Sequence, residues 1–152
     1  MKQALIRSIL VLLASGALVS AAEQRVIKVL PHLMDKEGRI SKSPSLFERD
    51  AYQLRLRQNP EEQSGIRYDI LWQSYISGKY RLKLELLGRV VEGRTNTRTV
   101  EIDLDVKDRR RKWDHIKFEG EEYRNFGRIV AWRVSIWQGD QMLAKEQSFL
   151  WE

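Results

Sequence analysis

The sequence predicts an all-β protein: an antiparallel β-sandwich of about seven to eight short strands, with one short helix near residues 120–126. Three observations predict it. Apolar residues alternate with polar ones at period two through most of the chain, the pattern of strands buried on one face. Gly, Asn, Pro and Ser interrupt those runs at short intervals, as turns do. Once the first 22 of the 152 residues are set aside, 130 remain, the length of one domain with one hydrophobic core.

Those first 22 residues read as a secretory signal peptide. Lys2 and Arg7 precede a short apolar run, Ile9 to Val19, which ends in the small residues Ser20, Ala21 and Ala22. The run, broken by Ser15 and Gly16, falls short of the ~20 apolar residues a spanning helix needs. Cleavage after Ala21 or Ala22 is expected. The division is residues 1–22 as signal and 23–152 as a single sandwich domain, exported to the periplasm or beyond, with no membrane anchor after cleavage. The chain has no cysteine, so no disulfide framework, thiol nucleophile or thiolate metal site is available.

The elements follow in order. A first strand is expected near Arg25–Leu33, then a turn-rich link from Met34 to Phe47. Tyr52, Leu54 and Leu56 alternate with Gln53, Arg55 and Arg57 and predict a strand, closed by Asn59-Pro60-Glu61-Glu62. Ile66, Tyr68, Ile70 and Trp72 predict the next; Tyr80, Leu82, Leu84 and Leu86 the one after Gly78; Val100, Ile102, Leu104 and Val106 another. Asp108 to Gly127 reads as a loop, with helical turns in Gly120–Gly127. Gly139-Asp140, between two apolar runs, reads as a two-residue hairpin turn.

That turn sets a register. With Gln138 opposite Gln141, Ile136 faces Leu143, Val130 faces Phe149, and Arg133 meets Glu146 as a cross-strand ion pair. Lys145 and Gln147 would then share the face of Trp132, so a bulge is expected between Ala144 and Ser148. Trp132 and Trp72 are in phase with the apolar sets and should be core. Trp137 is out of phase and shares its face with Ile129, Ala131, Met142 and Leu150. The 34–47 link is expected to cover that face, a partner being the alternative.

Seven or so antiparallel strands with alternating patterning resemble the immunoglobulin and fibronectin-type-III-like class over residues 23–152. The Cys…Trp…Cys triad of true immunoglobulin domains is missing, so the resemblance concerns architecture. The segments LPHLMDKEGRISKSPSLFERDAYQ and SGIRYDILWQ also resemble exported bacterial proteins. Neither likeness implies an activity.

Function is the least legible part. The net charge is +6, two units of it from Lys2 and Arg7, leaving +4 for residues 23–152; a solvated surface accounts for that without nucleic acid. The densest basic cluster is Arg109, Arg110, Arg111 and Lys112 followed by Trp113. It reads first as a solvated loop tip and second as a surface for an acidic envelope component. His32 and His115 have no spacing that suggests a shared metal, and no phosphate loop, nucleophile elbow or zinc-binding helix occurs. The expectation is a non-catalytic envelope binding module without cofactor, acting on an unknown envelope protein or glycan. Its candidate residues are Arg109–Trp113, Trp137 and Met142. A carbohydrate-binding module with Trp113 and Trp137 as stacking rings, a small secreted enzyme and a structural assembly subunit are the alternatives.

Overall fold

The structure is a computed structural model and describes residues 24–151; the signal segment lies outside the described residues. Seven strands form two packed antiparallel sheets: β1 (Arg25–Met34), β2 (Gly65–Ser74), β3 (Gly78–Val91), β4 (Arg94–Val106), β5 (Arg110–Glu119), β6 (Ile129–Gln138) and β7 (Gln141–Gln147). One sheet has the order β1-β2-β5 and the other β4-β3-β6-β7. The helices are α1 (Leu46–Gln58), followed by a 3-10 turn at Pro60–Glu62, and α2 (Gly120–Phe126). The predicted sandwich and its short second helix are therefore present. No helix among the described residues is long and apolar enough to cross a membrane.

The core is the set the alternation picks out. Tyr68, Ile70 and Trp72 of β2 and Leu82, Leu84 and Leu86 of β3 meet Val134 and Ile136 of β6 between the sheets. Ring edges lock the layers: Tyr68 against Trp132 at 6.1 Å and Trp72 against Tyr80 at 5.7 Å, edge-to-face contacts worth about 1 kcal/mol each beyond their area. Where β2 crosses to β3, the Tyr80 hydroxyl donates to the Ile76 carbonyl at 2.8 Å, and Ser74 donates to Tyr80 Oη at 2.9 Å, satisfying the polar groups this corner buries. The β3–β4 hairpin turns through Glu92 and Gly93, both at positive φ (51° and 74°), as a two-residue turn matched to strand twist requires. Gly65 has another reason: a Cβ there would stand 2.5 Å from the Phe118 carbonyl oxygen.

Three expectations are corrected. The Tyr52–Arg57 strand is part of α1. Its buried residues are Gln53 and Leu56, three apart, while Leu54 is exposed; the helical period wins over the alternating one. Ser45 caps the helix by accepting from the Glu48 N–H, and Ser45-x-x-Glu48 is the sequence form of a helix start. The Asp108–Gly127 loop contains β5. Only Ile116 and Phe118 of its inward side chains are apolar, because Asp114 also faces that way, accepting the Trp72 Nε1–H at 2.7 Å.

The third correction concerns the last hairpin. Gln138 does pair with Gln141, but Ile136 pairs with Ala144 and Trp137 with Met142, so Leu143 is the extra residue and the bulge precedes Ala144. Arg133 lies opposite Gln147 and takes its carboxylate from β3 instead, with Glu85 at 2.7 and 2.9 Å. The strand ends before Phe149, which is 97% exposed rather than paired with Val130. The cover on this face is the chain's own end: the Ser148 N–H bonds the Trp132 carbonyl at 2.9 Å, and the Arg133 guanidinium lies 4.7 Å from the Trp151 ring. The 34–47 link lies over the opposite sheet.

Candidate functional site

The link and α1 make a roof over the outer face of the three-stranded sheet. Asp35, directly after β1, starts the roof. Its carboxylate accepts from the Glu37 and Arg39 N–H groups at 3.0 and 2.9 Å and from the Tyr52 hydroxyl at 2.6 Å. One side chain thus fixes the turn and ties it to the helix. Burial pushes this carboxyl up, but the Tyr52 hydroxyl and the N–H and charge of Arg39 outweigh it and hold the pKa at about 2. Burial, and then the same contact, raise Tyr52 to about 12. Further along α1, Gln53 acts as a substitute strand partner: its Oε1 accepts from the Leu33 N–H at 2.8 Å and its Nε2 donates to the Leu33 carbonyl at 3.0 Å. That covers the free edge of β1, where an open ladder invites mispairing.

Between roof and sheet is a cleft of about 410 Å³, in the size range of small-ligand sites. Its floor is the polar row of the sheet. Asp69 on β2 stands between Leu30 of β1 and His115 of β5, and Arg67 pairs with His32 in register. Arg67 Nη2 donates to Asp69 Oδ2 at 2.9 Å, its Nε stands at ion-pair distance from Oδ1 (2.9 Å), and His32 Nε2 lies 3.4 Å from Asp69 Oδ2. Ile40 to Lys42 and Arg49 line the roof, and Trp113 forms a wall. Burial lowers the His32 pKa below 6.5; Asp69 pulls it back, while Arg67 and Arg49 push it further down. Neutral imidazole therefore predominates at pH 7.

The sequence-selected residues are dispersed by this geometry. Arg109 lies over the Tyr75 ring at 4.5 Å. Arg110 turns inward, reaching both Asp114 oxygens at 2.8 Å and lying 5.7 Å from the Trp72 ring. Arg111 and Lys112 are exposed and point to opposite sides of β5. The five residues therefore span a turn and a strand, and form no single basic loop tip. Trp113 alone reaches the cleft, 44% exposed. Trp137 and Met142 belong to the outer face of the other sheet, where Trp137 donates to Ser135 Oγ at 2.8 Å and lies under Lys83. Trp113 and Trp137 thus stand on opposite faces of the sandwich and cannot share a stacking platform.

The reading of the sequence missed His32, Arg49, Arg67 and Asp69 as a set. Their signal was weak: four polar residues on outward positions of elements whose pairing is long-range. The two histidines do share a face, flanking Asp69, but among the described residues no group of three His, Cys, Asp or Glu is arranged to hold a metal ion. No family model matches the chain, and no match to it is found among curated proteins or solved structures.

Proposed function

We propose that this chain is an exported, non-catalytic binding module of the bacterial envelope, with an immunoglobulin-like sandwich as its frame and the cleft on the β1-β2-β5 face as its binding site. Export rests on the order of charge, apolar run and small residues in 1–22. The immunoglobulin-like reading is supported by the three-plus-four strand order, which differs from the constant-type arrangement in that the fourth strand has joined the sheet of the third.

The observation that carries the binding reading is an exposed tryptophan beside a roofed cleft. Trp113 presents its ring at the rim, and a ring in that position suits stacking on a flat apolar face such as a sugar. This favours the glycan over a protein partner at Trp137 and Met142, where Lys83 lies over the Trp137 ring. Of the two histidines at the cleft, His32 has its Asp69 partner already engaged by Arg67.

Affinity capture from an envelope extract, split into polysaccharide and protein fractions, tests the reading. Retention on polysaccharide that is lost in Trp113→Ala and kept in Trp137→Ala is the expected result. Retention that depends on Trp137 and is indifferent to Trp113 would overturn it.

A further inference from the structure

We infer that the cleft takes an anionic ring ligand, a sugar carrying a carboxylate or a phosphate, with its ring on Trp113 and its charge against Arg49 and Lys42. The inference rests on the cleft being the binding site and adds the chemical class of what it binds.

The charges of the lining carry it. Three permanent cations line the cleft, Lys42, Arg49 and Arg67, and two carboxylates, Asp69 and Asp114. Asp69 is taken by Arg67 on both oxygens. Asp114 is taken by Arg110 and the Trp72 indole, on the core side of β5. Among the described residues, neither Lys42 nor Arg49 has a carboxylate within ion-pair distance. Arg49 is the more telling: its Nε, like that of Arg67, is buried with no hydrogen-bond partner, but Arg67 has Asp69 at ion-pair distance and Arg49 has no such carboxylate among the described residues. A guanidinium lining the cleft without a carboxylate partner offers a bound oxyanion the charge-assisted hydrogen bonds that arginine favours.

The proton balance follows. His32 is faced by Arg67 and Asp69 from β2 and by Arg49 from α1, with His115 and Lys42 on the same cleft. Burial and the two arginines keep it neutral. A carboxylate placed among them, ionised throughout this range, adds negative charge beside the imidazole and raises its pKa, so its binding takes up a proton and strengthens as pH falls from 7.5 to 5.5. A phosphate, which itself takes up a proton at about pH 6, shows a weaker dependence.

The test is calorimetric titration of the purified protein with three probes: digalacturonate, glucose 6-phosphate and neutral cellobiose. One or both anionic probes should bind at least tenfold more tightly than cellobiose, and the stronger of the two identifies the anion. Arg49→Gln, which keeps a good helix former in α1, should bring anionic and neutral probes to the same level while circular dichroism stays unchanged. Cellobiose binding as tightly as both anions, lost in Trp113→Ala, would keep the cleft and overturn the anionic class. Selectivity unaltered in Arg49→Gln would also overturn it. Failure of all three probes to bind would remove the cleft reading together with the inference.

Discussion

The two outer faces of this sandwich are built from the same kinds of residue and end in different states. At the centre of the four-stranded sheet the charges satisfy one another. Arg133 holds Glu85 through two nitrogens, Arg81 lies within reach of Glu101 and Asp103, and Lys83 sits near Glu85 and over Trp137. The chain end then lies on top, with Trp151 against Arg133. On the three-stranded sheet the roof stands off the floor, leaving a cleft lined by Arg49 and Lys42, neither of which has a carboxylate within ion-pair distance among the described residues. The lesson concerns pairing more than composition: the same residue types pair across the centre of one face and leave unmatched charge inside a concavity on the other, which is where the proposed ligand would sit.

The largest expected effect comes from removing what both faces share. Trp72 is fully buried, with its indole N–H on Asp114, so Trp72→Ala should cost about 3–5 kcal/mol, read as a lower midpoint of urea unfolding. Asp35→Ala acts on one face only. It strips the roof of its turn and its tie to Tyr52 and should cost about 2–3 kcal/mol; hydrogen exchange should rise first in residues 35–53, with β6 and β7 unchanged. Protection lost equally in both sheets would deny the roof its separate identity. Glu85→Gln is the counterpart on the other face, expected to cost about 1 kcal/mol and to leave the cleft intact. Arg49→Gln and Trp113→Ala should change stability by less than about 0.5 kcal/mol, because neither side chain completes a contact that the fold needs.

Acid sharpens the same contrast. His32 has a folded pKa below its ordinary 6.5, so the unfolded chain binds the extra proton first, and stability declines as pH falls below 6.5. Glu85 lies below its ordinary 4.5, chiefly through its hydrogen bonds to Arg133, and contributes stability that is lost only as pH falls below that value. Asp35 follows, its contribution lost between pH 3.8 and about 2. His32→Gln should therefore flatten the stability profile above pH 5 and leave the carboxylate-driven part unchanged. A profile identical to that of the parent would show that His32 is not buried as described.

The sheet framework was legible because β2, β3 and β4 each bury one face, and alternation records that directly in Ile66–Trp72, Tyr80–Leu86 and Val100–Val106. The second helix and the Gly139-Asp140 turn were legible from local chemistry. What failed did so where tertiary partners decide. Tyr52, Leu54 and Leu56 imitate a strand, while Gln53, polar and unremarkable in sequence, is buried because it completes the edge of β1. Asp114 hides β5 by facing inward, acceptable only because Trp72 and Arg110 await it. The site was harder still. Trp113 was singled out for its neighbours in sequence, whereas its relevant neighbours are Asp69 and His115 on the sheet face and Arg49 on α1, brought together by long-range pairing.

The most direct measurement is an amide and imidazole NMR titration of the purified protein with digalacturonate and glucose 6-phosphate at pH 6. The account predicts saturable shifts concentrated at Leu30–His32, Arg67–Asp69 and Trp113–His115 and at Arg49 and Gln53 on the sheet-facing side of α1, with β6 and β7 still. Shifts centred on Trp137 and Met142, or none at saturating ligand, would contradict it.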